Sequence, residues 1–418
     1  MISFSVRSFG CRANQAEAFA WTEALQKHGL IYDPDHRRTG LLIINTCTVT
    51  SRADADARRF IRRAVRENPD LRLVVTGCLV ERIPERFLKD TRIWRVYSNR
   101  DKNRLADELM EEFPQGQPVE YRPFRARPPI KIQDGCDHRC RFCIVPSVRG
   151  KSVSLSPEEV VKRVRELVAQ GFTEVVLTGV HINLYGRDFK PPVTLTGLLR
   201  QLEPIPGLAM IRLSSLDPRF MDEEFVNYIT SSPRVCPHFH LSLQHGADRI
   251  IERMGRRIST ARYQELLGKI RSGRPDASLG ADIIVGFPGE TETDFERMAE
   301  FIRLSPLNYL HVFSYSPRPG TPAASWKRVK PETVKERAVR LRRLSNEKNT
   351  AFRRKFTGRL LDAVVVRKRR GGIQAVTPNY IEVEIPGIQT EPGEDIKVRI
   401  TSVSMDGVEG RMEESHVT

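Results

Sequence analysis

The sequence of 418 residues lacks any apolar run as long as the 18 or more residues that a membrane-spanning helix needs. Its first residues also lack the basic start and sustained apolar stretch of a signal peptide. Low-complexity tracts are absent, and hydrophobic residues make up 39% of the chain, which excludes a disordered or fibrous protein. We therefore expect a folded cytoplasmic protein of several domains that does not contact a membrane.

Cysteine is scarce, and acidic residues are outnumbered by basic ones. The chain has seven cysteines, and its 68 Lys and Arg against 52 Asp and Glu give a net charge of +16. In a reducing cytosol, so few cysteines are more typical of metal ligands or catalytic thiols than of a disulfide framework. The excess positive charge favours a polyanionic partner such as nucleic acid.

Three N-terminal segments repeat one pattern, in which an apolar strand-like run ends at a cysteine and a helical stretch follows. The cysteines are Cys11, Cys47 and Cys78. Such alternation indicates a doubly wound parallel sheet, whose C-terminal strand ends lie on one edge. The three thiolates are therefore predicted to converge on an iron-sulfur cluster with one iron free of protein ligands. The alternative is three buried small residues.

A Pro- and Arg-rich stretch, residues 114–129, is interpreted as a linker to a second series of strands and helices. Six apolar runs between residues 130 and 322 alternate with helical stretches. This pattern predicts an open, six-unit βα barrel with functional residues at the C-terminal strand ends.

The first of these strands leads into a C-x-x-x-C-x-x-C motif formed by Cys136, Cys140 and Cys143. Three thiolates at this spacing can hold three irons of a [4Fe-4S] cluster and leave the fourth open to S-adenosylmethionine (SAM). Reductive cleavage of SAM would then release a 5′-deoxyadenosyl radical. The alternative is a structural zinc site with His138 or a distant residue as fourth ligand, although the chain has no second C-x-x-C pair.

The seventh cysteine, Cys236, belongs to neither triplet and is predicted to be a core thiol. The nearby His238 and His240 are interpreted as strand residues rather than metal ligands.

Positive charge is concentrated in residues 327–370, where 17 Lys and Arg face four Asp and Glu. The first part of this segment has the spacing of an amphipathic helix, with Val334, Ala338, Leu341, Leu344 and Phe352 near one face. We interpret it as a nucleic-acid surface, the alternative being a solvated helix face. Beyond it, short strand-like runs broken by Gly and Pro predict a small β-barrel.

The cysteine motifs FGCRANQAEA, NTCTVTSRADA, TGCLVER and DGCDHRCRFCIVPSVRG resemble those of the radical-SAM methylthiotransferases. The segments LSLQHG, MGRRI, DIIVGFPGET and YSPRPGTPA follow in the order of that family, so the resemblance covers essentially the whole chain. His245 and Ile258 stand where family members often have serine and tyrosine. The resemblance implies this domain order: 1–113 methylthiotransferase domain, 114–129 linker, 130–326 radical-SAM domain, 327–356 basic helix and 357–418 TRAM-like β-barrel.

The resemblance also implies two [4Fe-4S] clusters, ligated by the two cysteine triplets, and SAM as cofactors. Residues of the barrel and the cysteine loop are expected to contact SAM or the active site: Phe142, Thr178, Gly179, Val180, Ser215, Arg256 and Asp282. Phe142 could instead be a packed loop anchor, Gly179 a strand-end turn, and Arg256 an exposed surface residue.

Members of the family act on isopentenyladenosine in tRNA, on threonylcarbamoyladenosine in tRNA, or on an aspartate of a ribosomal protein. The N-terminal motifs look most like the threonylcarbamoyladenosine group, which implies the anticodon loop of tRNA as partner, flavodoxin or ferredoxin as electron donor, and a monomeric enzyme. A non-enzymatic iron-sulfur or zinc RNA-binding module is the alternative from another class. The residues expected to bind RNA are Arg340, Arg342, Arg343, Arg367, Lys368, Arg369 and Arg370.

Overall fold

The structure, a computed structural model, describes residues 2–116 and 125–413. Part of the predicted linker 114–129, residues 117–124, therefore lies outside the described residues. The chain divides into two compact units: Met1–Phe124 with Asp134–Val153 and Ser316–Ala324, and Arg125–Gln133 with Ser154–Tyr315 and Ser325–Thr418. No helix in the described ranges is both long enough and apolar enough to cross a membrane.

The first unit contains a parallel five-stranded sheet. Its strands are β1 (Ser3–Ser8), β2 (Ile31–Tyr32), β3 (Leu41–Thr46), β4 (Arg72–Gly77) and β5 (Arg95–Tyr97). Its helices are α1 (Arg12–Lys27), α2 (Ser51–Glu67), α3 (Cys78–Arg82), α4 (Pro84–Leu88), α5 (Leu105–Glu112) and α6 (Val145–Arg149). The strand order is β2-β1-β3-β4-β5, which confirms the predicted doubly wound sheet.

Alternate residues of the central strand β3 pack against different helices. Ile43 belongs to a core cluster with Leu25 of α1 and Leu109 of α5, whereas Ile44 packs with Ala57 of α2. Burial of both faces explains why every residue of β3 is buried and why its run is continuously apolar. The edge strands β2 and β5 were not predicted, because two or three residues are too few to show a period.

The second unit begins with the strands of the open barrel: β6 (Pro129–Asp134), β7 (Val153–Ser154), β8 (Glu174–Gly179), β9 (Met210–Leu213), β10 (His238–His240), β11 (Ser278–Val285) and β12 (Tyr309–Ser314). The helices between and after them are α7 (Pro157–Ala169), α8 (Leu195–Leu202), α9 (Glu223–Ser231), α10 (Asp248–Arg253), α11 (Thr260–Gly273), α12 (Glu292–Leu304) and α13 (Pro331–Arg354). Two sheets, β7-β6-β8-β9 with β6, β8 and β9 parallel and β10-β11-β12 with all strands parallel, are linked by the isolated bridges Ile211–Val235 and Leu216–Leu241. All six predicted barrel strands are present.

Five further strands close into a small barrel in the order β13-β14-β15-β17-β16. They are β13 (Leu360–Arg369), β14 (Gly372–Val376), β15 (Glu382–Pro386), β16 (Asp395–Val403) and β17 (Val408–Glu413). Val365, Ile373 and Val398 lie in its core, which Phe352 of α13 completes. The predicted C-terminal barrel is therefore confirmed, and each apolar run of the tail forms a strand.

A buried arginine connects the two barrels of the second unit. Arg212 of β9 is 1% exposed and donates from Nε to Oε1 of Glu174 over 2.6 Å. Its Nη1 and Nη2 donate to the carbonyl oxygens of Pro378 (3.0 Å) and Thr377 (3.3 Å). A guanidinium removed from water requires such a full set of acceptors, so this ion pair fixes the loop between β14 and β15 against the open barrel.

The basic helix α13 lies along β12 and α12. Ala338, Leu341 and Phe352 are buried, as the predicted apolar face requires. Arg337 donates to Oε1 of Glu290 over 2.5 Å, and the other oxygen of Glu290 lies 3.2 Å from Nε2 of His245. His245, one of the departures from the family pattern, thus forms a fully buried pair with a carboxylate.

Candidate iron-sulfur and cofactor sites

The first cysteine triplet lies at the C-terminal edge of the parallel sheet in the first unit. Cys11 is the N-cap residue of α1, Cys47 directly follows β3, and Cys78 is the first residue of α3. Cys47 and Cys78 are 3% exposed, whereas Cys11 is exposed.

Gly10 allows the β1–α1 turn to lie close to Cys47. Its φ is +84°, and a Cβ placed on it would lie 2.3 Å from Sγ of Cys47. Only glycine therefore allows the β1–α1 turn to pass the Cys47 thiol. Burial, and to a smaller extent the neighbouring Cys11, raises the pKa of Cys47 to about 12. The thiol is thus protonated at neutral pH until a metal displaces the proton.

Two weak donors already point at the sulfurs. The Val49 N–H donates to Sγ of Cys47 over 3.5 Å, and Nδ2 of Asn99 donates to Sγ of Cys78 over 3.7 Å. Hydrogen bonds to cluster-ligating sulfurs are among the means by which proteins set reduction potentials.

Arg149 interacts electrostatically with all three thiols. Its side chain is 2% exposed, and Nη1 donates to Asp134 over 2.6 Å and to Glu17 over 3.2 Å. Lys102 lies 2.6 Å from Glu17 and 3.4 Å from Asp134. Two cations and two carboxylates thus balance one another beside the cysteines, which is the condition under which charges remain buried.

Asn14 joins this charge network to the ends of the strands. Its Nδ2 donates to the carbonyl oxygens of Phe9 and Thr46, each over 2.9 Å, and its Oδ1 accepts from Arg149. A fully buried amide that uses both ends in this way holds the β1–α1 and β3–α2 turns together.

The second triplet lies in a loop of the same unit. The N–H of Cys136 donates to the carbonyl of Gly150 over 3.0 Å, which closes the base of the loop, and the N–H of Cys143 donates to the carbonyl of Cys140 over 3.0 Å. Ile144 and Val148 pack against Cys78. The loop that carries one triplet therefore contacts a residue of the other.

The donor set fits iron-sulfur clusters better than zinc. Thiolates bound to one zinc at about 2.3 Å in a tetrahedron are only about 3.8 Å apart. Within the part of the chain that the structure describes, neither cysteine triplet has all three of its sulfur atoms within 4.8 Å of one another. A [4Fe-4S] cube carries each thiolate on a different iron and holds the sulfurs farther apart.

Four of the residues predicted to bind SAM lie in the second unit: two end β8, one directly follows it, and one follows β9. Gly179 is the last residue of β8, and a Cβ there would lie 2.6 Å from the carbonyl oxygen of Gln133. Thr178 is fully buried, and its Oγ1 has no hydrogen-bond partner among the described residues. Val180 is half-buried, and Ser215 is exposed. Thr178 thus retains a free polar atom for a ligand, while Phe142, in the first unit, is half-buried in the cysteine loop.

Arg256 and Asp282, two further candidates for SAM binding, each differ from one of the placements that the sequence suggested. The alternative that Arg256 is an exposed surface residue is wrong: it is 6% exposed and donates to Asp217 (3.1 Å) and to the carbonyl of Ser242 (2.6 Å). Its Nε has no partner within the described residues. Asp282 was expected at the end of a strand but lies inside β11, because pairing with β12 continues to Val285.

All seven residues predicted to bind RNA are exposed, and several form ion pairs. Arg340 lies 2.7 Å from Glu296, Arg343 lies 3.6 Å from Glu347, and Arg369 lies 3.6 Å from Glu384. Lys368 pairs with Glu391, and Arg367 donates to Gln374. Arg342, Arg367 and Arg370 form no ion pair in the described part of the chain. Because the guanidinium of Arg367 is held by Gln374, the charges of Arg342 and Arg370 are the most available to a phosphate.

The residues around the first triplet were not identified from the sequence as functional. Asn14 and Glu17 lie within the motif FGCRANQAEA, and Arg149 lies within DGCDHRCRFCIVPSVRG. Their place inside the cysteine motifs was the available signal. Lys102 and Asn99 lie outside every motif, and no signal in the sequence indicates them.

Comparison with known families defines the class of protein. Residues 130–302 match the family model described as Radical SAM superfamily, and residues 3–97 match the one described as Uncharacterized protein family UPF0004. A radical S-adenosylmethionine methyltransferase, TsrM, from Kitasatospora setae has a similar fold, with a TM-score of 0.55 and 15% identity over 77% of this chain and 74% of that one. The chain is therefore a radical-SAM enzyme.

Curated relatives define the family within this class. The Threonylcarbamoyladenosine tRNA methylthiotransferase MtaB of Aquifex aeolicus is 36% identical over 94% of this chain and 98% of its own length. Its namesake in Rickettsia prowazekii is 37% identical over 90% of each chain. The chain belongs to the radical-SAM methylthiotransferase family. It is a transferase that acts on tRNA and uses SAM and [4Fe-4S] iron-sulfur chemistry.

Replacing Gly10 with Ala tests whether the site of Cys11, Cys47 and Cys78 depends on the packing of the β1–α1 turn. The added methyl group would overlap Sγ of Cys47, so we expect the anaerobically reconstituted protein to lose about four irons per chain, the content of one [4Fe-4S] cluster. The matched control is Gly171→Ala, which has a similar φ of +93° but open space around its Cβ, and it should keep its iron. Equal iron contents in both variants would contradict the role of the turn.

Proposed function

We propose that this enzyme inserts sulfur and a methyl group at C2 of N6-threonylcarbamoyladenosine 37 in tRNA, which gives the 2-methylthio derivative. The observation that carries the choice of substrate is the near full-length similarity to four relatives named for threonylcarbamoyladenosine. The similarity covers at least 90% of this chain and of each relative, so it spans the parallel sheet, the open barrel and the small barrel.

Two [4Fe-4S] clusters are part of the proposal. Cys136, Cys140 and Cys143 would hold the one that binds SAM, while the strand-end triplet would hold an auxiliary cluster. When bound, these groups and SAM supply reductive SAM cleavage, sulfur and a methyl group. Each triplet provides three thiolates, which leaves one iron of each cluster open to an external ligand.

The residues around the cysteines make the first site suitable for an anionic cluster. Arg149 brings a buried positive charge to the three strand-end thiols, and Glu17 and Asp134 hold its guanidinium in place. The Val49 N–H and the Asn99 amide donate to two of the sulfurs. These fixed donors stabilise negative charge without water, which matters for a buried redox group.

The second unit offers separate contacts for a cofactor. Thr178 Oγ1 and Arg256 Nε are buried polar atoms with unused hydrogen-bonding capacity among the described residues. Such atoms are costly unless a ligand or water satisfies them. We infer that they contact SAM, together with the Gly179 backbone, Val180, Ser215 and, from the cysteine loop, Phe142. Asp282, the remaining residue expected at SAM, instead lies beside His240 and His311.

An adenosine in the anticodon loop is a favourable target, because its base is single-stranded and can be reached without breaking a base pair. The exposed basic residues of α13 and β13 would hold the phosphate backbone, which positions the RNA but does not specify its sequence. The proposal includes a monomeric enzyme in the cytoplasm, where tRNA is found, reduced by flavodoxin or ferredoxin.

Nucleoside mass spectrometry tests the substrate. In cells that lack this protein, the methylthio form of threonylcarbamoyladenosine should disappear from tRNA and return when the wild-type gene is supplied. Loss of the methylthio form of isopentenyladenosine instead would show that the substrate is the other modified adenosine. Retention of both would point to a ribosomal-protein aspartate.

Replacing single cysteines tests the division of work between the triplets. Cys140→Ala should abolish formation of 5′-deoxyadenosine from SAM under anaerobic reducing conditions, because the SAM cluster then lacks one of its iron ligands. Cys47→Ala should retain this cleavage but lose methylthiolation of tRNA. Cys236→Ala is the matched control, since Cys236 is a buried thiol outside both triplets, and both activities should persist. Equal loss of SAM cleavage in Cys47→Ala and Cys140→Ala would contradict the division.

Reversing the two most available basic charges tests the RNA surface. Arg342→Glu with Arg370→Glu should weaken tRNA binding and lower the slope of log K against log salt by about one for each phosphate that the variant no longer neutralises. The matched control is Arg262→Glu on α11, an exposed arginine outside the basic segment that pairs with Glu265. SAM cleavage should be unchanged in all variants. An identical salt dependence for the double variant and the control would exclude this surface.

A further inference from the structure

Three metal-ligating side chains meet on neighbouring strands of the second unit, outside both cysteine triplets. In the parallel register, Asp282 of β11 lies opposite His311 of β12, and His240 of β10 lies opposite Gly280. One ligand atom from each of His240, Asp282 and His311 falls within 4.8 Å of the other two. Nε2 of His240 lies 3.0 Å from Oδ1 of Asp282, and Nδ1 of His311 lies 3.4 Å from the same oxygen.

We propose that His240, Asp282 and His311 bind one divalent transition-metal ion of the zinc type. Two ligands at about 2.0–2.1 Å from zinc in a tetrahedron are about 3.3–3.4 Å apart. The 3.0 and 3.4 Å separations are close to that value, so an ion can be accommodated with small side-chain movements. Two imidazoles with one carboxylate form a donor set that zinc and ferrous iron both accept.

The buried ring of His240 provides a second observation. His240 is 5% exposed, and its Nε2 faces Oδ1 of Asp282 over 3.0 Å without the geometry of a hydrogen bond to it or to any other described residue. A buried ring nitrogen that makes no hydrogen bond is costly. A cation between this nitrogen and the carboxylate oxygen would satisfy both atoms.

The other nitrogen of His240 has the outer-shell partner that metal-binding histidines usually have. Nδ1 lies 3.1 Å from the hydroxyl of Tyr309, and the same hydroxyl lies 2.8 Å from Nε2 of His238. If Tyr309 donates to His238, its oxygen accepts the Nδ1 proton of His240. This arrangement leaves the lone pair of Nε2 directed at the ion, in the tautomer that coordination requires.

Gly280 makes the position of Tyr309 possible. A Cβ on Gly280 would lie 2.0 Å from Cζ of the Tyr309 ring, so any other residue would displace the ring. The hydrogen bond between Tyr309 and His240 therefore depends on the absence of a side chain at Gly280. The sequence-based interpretation made His240 a strand residue rather than a metal ligand. His240 does lie in β10, but the proposal makes it a ligand as well.

The site is accessible from one side. The side chain of His311 is 57% exposed and that of Asp282 is 22% exposed, whereas His240 is buried. Three protein ligands leave at least one coordination position for water or an oxygen atom of a bound molecule, as in open rather than purely structural zinc sites. No cysteine takes part, so the site is distinct from those of the iron-sulfur clusters and goes beyond the proposed function.

Zinc binding to the holoenzyme tests the site. Protein with reconstituted clusters is dialysed against Zn²⁺ buffered at a series of free concentrations, and zinc, iron and sulfide are measured per chain. Wild type should bind one zinc more than His311→Ala and Asp282→Asn, with unchanged iron and sulfide. Tyr309→Phe should retain the site but with an affinity about 10–100-fold lower, because it removes only the hydroxyl that orients His240 and leaves all three ligands in place.

His36→Ala is the matched control. His36 Nε2 lies 3.0 Å from a carboxylate oxygen of Glu67, the same distance as in the proposed site, but this pair has no third ligand in the described part of the chain. It should bind zinc as wild type does. Asp282→Asn preserves side-chain shape and tests the site even if His311→Ala alters folding. Equal zinc stoichiometry and affinity in wild type, His311→Ala and Asp282→Asn would overturn the proposal. The measurement involves neither tRNA nor turnover, so its result is independent of the proposed function.

Discussion

The arrangement of the cysteines in the first unit depends on the burial of Arg149. A guanidinium that is 2% exposed has lost nearly all its water, and its desolvation costs several kcal/mol unless carboxylates and other acceptors replace that water. Glu17 and Asp134 provide this compensation, and Asn14 accepts from the same group. Because these partners come from α1 and from the start of the cysteine loop, one charge holds the loop and the sheet edge in a fixed relation.

The charge of Arg149 also affects the ionisation of the three cysteines. Arg149 interacts with the three strand-end cysteines, which must be thiolates to bind iron. A cation fixed by two carboxylates cannot turn away when the thiols ionise. It therefore favours the thiolate form that iron binding requires without reorganisation, as preorganised groups do in other buried sites.

Local periodicity explains how much of the fold was predictable. The strands β1, β3 and β4, the six barrel strands and the five strands of the small barrel each leave an apolar pattern of several residues, so the fold class followed from the sequence. The contacts of Arg149 could not be predicted in the same way, because its partners come from residues 14, 17 and 134. Spacing reveals partners within one turn of a helix or along one strand, but not across the 15, 132 and 135 residues that separate Arg149 from Asp134, Glu17 and Asn14.

Charge counts have a related limit. The count of 17 basic against four acidic residues in 327–370 predicts a nucleic-acid surface, but Arg340 and Lys368 pair with Glu296 and Glu391 from outside that window. Exposed pairs of this kind contribute little stability, yet they reduce the positive field that a phosphate meets. The free charge of the surface is therefore smaller than the count, and it is concentrated at residues such as Arg342 and Arg370.

Distances between ligand atoms separate the two kinds of metal chemistry in this chain. A single ion draws its ligands to within about 4 Å of one another, whereas a cluster spreads them over several metal atoms. The cysteine triplets lie on the wider side of this division, and His240, Asp282 and His311 lie on the narrower side. The sequence showed the cysteines because each triplet follows a pattern, in a short loop or at repeated strand ends. It did not show the histidine site, because its ligands come from three strands and meet only through the register of β10, β11 and β12.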